Sequence, residues 1–280
     1  MFNPIFIRDS VRHFLSEDLH LGDMSTPDVF QMRMNAKGHF IAKERGIIAG
    51  TVFASYFYEE IAPVDVHWYK KDGEEVLPGD IIGWVKGPAY ALIMVERTYL
   101  NLLQRLSGIA TATRAFVDQL PDGFTLLDTR KTTPGLRLFE KYASWVGGAT
   151  NHRYTLMDAV MVKDNHIKIF GSIKEAVESV KRNIPYTMKI EVECETIEMV
   201  KEALSIGVDI IMLDNMDDED ILQSIDLIRR VSPSTAIEIS GGITIDRIKN
   251  LSAKGVKDVY ISTSRTITRS SWLDISFDIE

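Results

Sequence analysis

From about residue 123 onward, short apolar runs alternate with longer stretches of helical period, and this alternation constrains the fold most strongly. The runs end at Leu127, Val162, Val192, Leu213, Ile239 and Ile261. Helical patterns follow at Ile173–Arg182, Ile197–Ile206, Asp218–Arg229 and Asp246–Ala253. Strand and helix in repeated succession predict a parallel sheet joined by right-handed crossovers. Each run ends in polar or charged groups: Asp128-Thr-Arg-Lys, Lys163-Asp-Asn-His, Glu193, Asp214-Asn, Ser240-Gly-Gly and Ser262-Thr-Ser. In a β/α barrel the carboxyl ends of the strands carry the active site. Six runs instead of eight predict an irregular, incomplete barrel; a doubly wound sheet is the alternative and uses the same strand ends.

The first hundred residues have another rhythm. Residues 1 to about 30 read as helical, with Ile7, Val11, Phe14 and Leu15 on one face and Gly22-Asp23 closing the segment. Short strand-like runs follow at His39–Ala42 and Val64–Tyr69. Between Gly73 and Gly87, Pro78-Gly79 marks a turn joining two strands, and Leu92–Leu106 is helical again. This half is a small α+β unit. Hydrophobic residues make up 45% of the 280, enough for a packed core, which excludes a disordered chain. Acidic residues outnumber Lys and Arg by 40 to 32, and a formal charge of −8 disfavours nucleic acid and anionic membrane as partners. The lone Cys194 excludes an intramolecular disulfide and a multi-cysteine zinc site. No secretory signal is read at the N-terminus, and the apolar stretch Ile47–Tyr58 is too short to span a bilayer, so a cytoplasmic protein is expected.

The strand ends carry the chemistry. In Met188-Lys-Ile-Glu-Val-Glu193 a period of two places Lys189, Glu191 and Glu193 on one face, opposite Ile190 and Val192. Parallel strands are usually apolar on both faces, so three charges there are anomalous. The bland reading is an internal Lys–Glu pair; the functional one is favoured for Glu193, at the strand end. Asp214 holds the same position on the next strand. Two carboxylates at neighbouring tips suit a metal site or the stabilisation of developing positive charge.

Between Asp128 and Lys168 seven Lys/Arg face four Asp/Glu, a local excess of three positive charges. Arg130, Lys131, Arg153 and Lys163 are read as anion-binding, whereas Arg137 and Lys141 are read as solvated helix residues. Ser240-Gly-Gly before a helical pattern is a candidate phosphate cradle, and Ser262-Thr-Ser follows one unit later. His166 reads as a local hydrogen-bonding residue and Cys194 as a small packing residue. The residues alone describe a barrel-type enzyme acting on a phosphorylated, polyanionic small molecule. A Schiff-base enzyme using Lys163 is a rival.

At these positions the sequence resembles the quinolinate phosphoribosyltransferases, also called carboxylating nicotinate-nucleotide pyrophosphorylases. The likeness covers nearly the whole chain: Glu17-Asp18, Gly22-Asp23, Glu96-Arg-Thr-x-Leu-Asn-Leu-Leu103 and Leu106-Ser-Gly-Ile-Ala-Thr111 in the first part. Thr129-Arg-Lys-Thr-Thr-Pro-Gly-Leu-Arg137, Asn151-His-Arg153, Lys163-Asp-Asn-His166, Glu191-Val-Glu193, Leu213-Asp-Asn, Ser240-Gly-Gly and Leu273-Asp-Ile-Ser complete it.

The resemblance implies transfer of phosphoribose from phosphoribosyl pyrophosphate to the ring nitrogen of quinolinate, with loss of the 2-carboxylate as CO2 and with Mg2+. It implies an N-terminal α/β sandwich (1–108, with a strand at about 270–280 returning to it) and an incomplete β/α barrel (109–269). Arg130, His152 and Arg153 are then expected around the quinolinate carboxylates. Arg97 is expected to reach the neighbouring subunit's site, which makes a homodimer the minimum unit and allows higher oligomers. Lys131 and Lys163 would act on the anionic substrates, Glu193 and Asp214 on ribose and Mg2+, and Ser240, Gly241, Gly242, Ser262 and Ser264 on the 5′-phosphate.

Departures are local. Ala149 stands for the last glycine of the usual Gly-Gly-Gly, Ser264 for a phosphate-contacting glycine, and a histidine usual in that loop is missing; Arg265 or Arg269 is the candidate substitute. Non-catalytic relatives and a nicotinate-specific enzyme without decarboxylation are further rivals.

Overall fold

The computed structural model describes residues 3–25 and 34–280. By its contacts the chain forms two compact units. The first comprises the chain up to Arg114 with Thr133–Gly148 and Arg269–Glu280; the second comprises Ala115–Thr132 and Ala149–Thr268. The helix Arg137–Val146, within the span 109–269 assigned to the barrel from sequence, thus groups with the first unit.

In the first unit, a helix runs over Pro4–Leu19, capped by Asn3, whose side chain accepts the Ile5 N–H at 3.0 Å. Proline at the first helical position costs no hydrogen bond there. Ile7, Val11 and Leu15 are buried, and Phe14 is half-buried. The helix expected to reach about residue 30 stops at Leu19: Gly22 takes φ +85° and donates to the Leu19 carbonyl. The rest of that expectation, residues 26–30, lies outside the described residues.

Strands β1 (Asn35–Ala42), β2 (Gly46–Ile47), β3 (Asp65–Trp68), β4 (Glu75–Val76) and β5 (Ile81–Pro88) follow. β1, β3, β5 and the C-terminal β12 (Ile275–Ile279) make an antiparallel sheet in the order β12-β1-β5-β3, while β2 and β4 pair separately. The Pro78-Gly79 turn therefore connects β4 to β5 across two sheets instead of closing a hairpin. The long helix Ala89–Val117 packs Leu92, Val95, Tyr99, Leu103 and Leu106 inward. Gly108 lets the C-terminal segment approach: a Cβ there would lie 1.9 Å from the Ser271 carbonyl oxygen. The core of this unit is aromatic, with Phe40, Phe53, Phe57, Tyr58, Tyr99 and Phe139 buried.

The second unit contains β6 (Phe124–Leu127), β7 (Val160–Val162), β8 (Ile190–Cys194), β9 (Ile210–Asp214), β10 (Ala236–Ser240) and β11 (Val259–Ser262). All neighbouring pairs are parallel, in the order β6-β11-β10-β9-β8-β7. The first strand thus returns beside the last, as in a barrel, and the wall is open between β6 and β7. There Thr150 forms an isolated bridge with Leu127. Ser172, Thr196, Asp217 and Thr244 each cap the following helix with a side-chain oxygen on an N–H three residues on. Val192, Ile211, Leu213, Ile237 and Ile239 lie in the aliphatic core. The alternate positions Glu191, Glu193, Met212, Asp214, Glu238 and Ser240 line the cavities described next.

Candidate active site

A pocket of about 400 Å³ opens among the carboxyl ends of the barrel strands. Arg130 and Lys131 from the loop after β6, His152 and Arg153 from the Thr150 connection, Lys163, Glu193, Asp214, Ser240 and Ser262 all line it. The structure thus brings together most of the residues singled out in the sequence, from six strand ends.

Its cations are arranged for an anion. Arg130 Nε is buried and has no hydrogen-bond partner among the described residues. Burial, and then the neighbouring charge of Arg130, push the Arg153 guanidinium below its ordinary pKa. Two crowded guanidiniums with an unpartnered buried donor favour a carboxylate-bearing ligand, which relieves both costs. One Arg153 nitrogen, Nη1, donates to the Ala159 carbonyl at 3.0 Å, which anchors the side chain.

The carboxylates occupy two depths. Lys163 Nζ donates to Glu193 Oε2 near the mouth of the pocket. The expected internal Lys–Glu pair thus involves Lys163; Lys189 lines a different cavity. Asp214, at the tip of β9, accepts from the Asn215 side chain at 2.7 Å. Deeper, His152 Nε2 lies 3.1 Å from Glu191 and 3.3 Å from Glu238. Burial opposes the imidazolium, but the hydrogen bonds and charges of Glu191 and Glu238 outweigh it and raise His152 to about 9. Burial, and to a smaller extent Glu238, also raise Glu191. Sequence reasoning passed over Glu238 and the buried Asp128, which accepts the His152 N–H at 2.8 Å. The signal for Glu238 was available: in Ala236-Ile-Glu-Ile-Ser240 it shares the alternate face with Ser240.

A second cavity of about 490 Å³ adjoins the first, sharing Thr129, Lys131, Asp214, Ser240 and Ser262 with it. It adds Gly241, Gly242, Ser264 and Arg265. Gly241 and Gly242 take φ +79° and +63°. A Cβ on Gly241 would come within 2.2 Å of Asn215 Oδ1, so glycine is required at this turn. Bare N–H groups before the helix Ile245–Ala253 are an anion cradle in form.

Arg97 does not line either cavity. It lies on the helix Ala89–Val117 and borders a cavity within the first unit with Glu17, Asp18 and Trp272. Lys141, read as a solvated helix residue, is fully buried. The reason is its helix, which also buries Phe139, Glu140, Tyr142, Ala143, Ser144 and Val146 and so has little solvent face. His166 Nδ1 accepts the Lys163 N–H at 3.0 Å, a local role. Cys194 is buried, and burial raises its thiol to about 12, far from a reactive thiolate.

Family models match both parts of the chain: the quinolinate phosphoribosyl transferase N-terminal domain over residues 23–107 and the C-terminal domain over 109–278. A probable carboxylating nicotinate-nucleotide pyrophosphorylase of Synechocystis sp. is 42% identical, the match covering 98% of this chain and 93% of that protein. One of the same description from Bacillus subtilis is 39% identical, covering 99% and 94%. The crystal structure of NadC from Streptococcus pyogenes, 40% identical, superposes with a TM-score of 0.90 over 100% of this chain and 98% of that one. With both domains matched and full-length relatives at this identity, the chain belongs to the quinolinate phosphoribosyltransferase family.

Proposed function

We infer that the strand-end pocket carries out the reaction of this family, decarboxylating transfer of phosphoribose from phosphoribosyl pyrophosphate to quinolinate. The bond from ribose C1′ to pyrophosphate oxygen breaks, and one from the ring nitrogen to C1′ forms. The C2–carboxylate bond then breaks, CO2 leaves, and a proton takes its place to give nicotinate mononucleotide. The observation that carries the dicarboxylate reading is the crowded pair Arg130 and Arg153, with the buried Arg130 Nε unpartnered among the described residues. A site for one carboxylate has no need of two adjacent guanidiniums.

The remaining roles follow from charge and position. Glu193 and Asp214 border the space where the ribose ring would develop oxocarbenium character, and their charge stabilises it. Lys131 and Lys163 neutralise the pyrophosphate that leaves. The hard oxygens of Glu193 and Asp214 also fit Mg2+, which takes one or two carboxylates and completes its shell with water and phosphate. When bound, Mg2+ supplies further neutralisation of the leaving group. Lys163 is ion-paired to Glu193, unlike the desolvated, unpaired amine of Schiff-base enzymes.

For the 5′-phosphate we assign Ser240, Gly241, Gly242, Ser262 and Ser264, with Arg265 as the charge that replaces the missing histidine. Arg265 borders the cradle and Arg269 does not.

We further propose a homodimer in which Arg97 completes the partner's pocket; its side chain is 61% exposed. Mixing inactive Arg97→Ala with inactive Arg130→Ala should then restore about a quarter of wild-type activity through heterodimers. No recovery after subunit exchange would remove that assignment. A cytoplasmic location suits a chain with one buried cysteine. No described helix is long and apolar enough to cross a membrane.

Calorimetry tests the substrate reading: quinolinate binds at least about tenfold more tightly than nicotinate, the second carboxylate adding about 1.4 kcal/mol. Equal affinity would point to a monocarboxylate substrate.

A further inference from the structure

Thr133-Pro-Gly-Leu136 joins the loop bearing Arg130 and Lys131 to the helix Arg137–Val146. Proline stands second and glycine third, Gly135 takes φ +85°, and the Leu136 N–H donates to the Thr133 carbonyl at 3.0 Å, the pattern of a type II turn. Leu136 gives the helix no side-chain cap. Glu140, in the first helical turn, reaches back instead. Its Oε2 accepts the Thr133 N–H at 2.8 Å, and its Oε1 accepts the Thr133 hydroxyl at 2.8 Å. Arg105, on the helix Ala89–Val117, donates Nε and Nη2 to the same Oε1 at 3.0 and 2.9 Å. Its remaining nitrogen, Nη1, donates to the Ser270 hydroxyl at 2.9 Å. All of these groups belong to the first unit. Glu140 is fully buried, so its charge carries a desolvation cost that these donors offset.

A buried ion pair is weak support for stability, because apolar residues of the same volume often serve as well. Apolar residues cannot, however, accept two hydrogen bonds from Thr133. The clamp therefore fixes both the backbone and the side chain of the residue two positions past Lys131. The loop before it is bonded to itself: the Lys131 N–H donates to Thr129 Oγ1 at 3.0 Å, and the Thr132 N–H donates to the Arg130 carbonyl at 3.0 Å. Thr129–Thr132 thus runs from the end of β6 to the clamp with little freedom left in its backbone. We propose that Glu140 is a positioning residue for substrate binding: held by Arg105, it clamps Thr133 and thereby fixes the short loop from which Arg130 reaches the dicarboxylate. This role rests on Arg130 binding a quinolinate carboxylate, as inferred above. A binding group displaced by about 1 Å loses much of its effect, which gives a clamp outside the chemistry its leverage.

The test is the ratio of quinolinate to nicotinate affinity, measured by calorimetry with thermal midpoints alongside. Loosening Arg130 weakens the grip on the second carboxylate and lowers the ratio. A merely structural loss lowers the midpoint and leaves the ratio of the folded protein alone. Thr133→Val keeps the side-chain shape and the Arg105–Glu140 pair but removes the hydroxyl; the ratio falls about fivefold from its wild-type value of at least about tenfold. Thr133→Ser, which keeps the hydroxyl, stays within about twofold of wild type. Glu140→Gln lowers the ratio at least as far, and Thr133→Val serves if that variant folds poorly. Ser270→Ala frees the other end of Arg105 and leaves the ratio within about twofold. An unchanged ratio in Thr133→Val, no rescue in Thr133→Ser, or a fall in Ser270→Ala as large as in Thr133→Val would overturn the proposal. The wild-type protein reports separately on the substrate. No preference for quinolinate there sinks the reading on which this role rests, whereas a normal wild-type preference that Thr133→Val keeps sinks the positioning role alone.

Discussion

Glu191 and Glu193 stand two residues apart on β8 and point to the same side, yet they live in different environments. Glu193 is 11% exposed in its side chain and meets Lys163, whose own side chain is 41% exposed. Glu191 is sealed at 1% and meets His152 Nε2, the same nitrogen that Glu238 approaches. A pair near solvent can exchange partners at little cost when an anion or cation arrives, because water and substrate compensate it. A buried trio cannot: removing one member strands charges in low dielectric. The difference teaches that depth along one strand face separates a carboxylate able to exchange partners from one locked among its neighbours.

The largest expected effect lies in the outer ring. Arg130→Ala lowers kcat/KM for quinolinate about 10³-fold, or about 4 kcal/mol, in steady-state assays. Glu193→Gln and Asp214→Asn each lower kcat about 10²-fold while leaving the thermal midpoint nearly unchanged. The deeper layer should answer in the opposite sense. His152→Ala costs about 3 kcal/mol of unfolding free energy by denaturant titration, whereas Lys163→Ala costs about 1 kcal/mol or less. Equal stability losses at the two sites would erase the distinction. Arg265→Ala raises the KM for phosphoribosyl pyrophosphate about tenfold, and Arg269→Ala leaves it within about twofold.

The smallest effect is a pH dependence. His152 and Glu191 both hold protons more tightly in the folded chain than free side chains do. The contribution of His152 to stability is therefore fully present below pH 6.5 and is lost as pH rises toward about 9; that of Glu191 starts to fall lower, once pH passes the ordinary carboxylate range. Midpoints measured across that range should fall, and fall less in Glu238→Gln.

Much of this site is legible in the sequence because strand ends leave a pattern. Arg130, Lys163, Glu193, Asp214 and Ser240 each close or follow an apolar run, at the strand ends where a β/α barrel carries its site. The inner trio is hidden for a physical reason. Glu238 looks like one stray charge in Ala-Ile-Glu-Ile-Ser, and its partner His152 lies 86 positions earlier on a different element. Nothing local encodes that convergence. Lys141 misled in the other direction, since its charge suggested solvent while tertiary packing buries nearly every side of its helix. The first helix stops short of residue 30, just before the Gly22-Asp23 signal read in the sequence, where Gly22 takes a left-handed conformation.

The account turns on whether the cationic pocket takes a dicarboxylate and releases one carboxylate as CO2. The direct measurement supplies purified protein with quinolinate labelled in the 2-carboxylate, phosphoribosyl pyrophosphate and Mg2+, and follows labelled CO2 and mononucleotide together. Equimolar CO2, pyrophosphate and nicotinate mononucleotide are the predicted result. Mononucleotide from nicotinate with none from quinolinate, or no turnover of either, would contradict it.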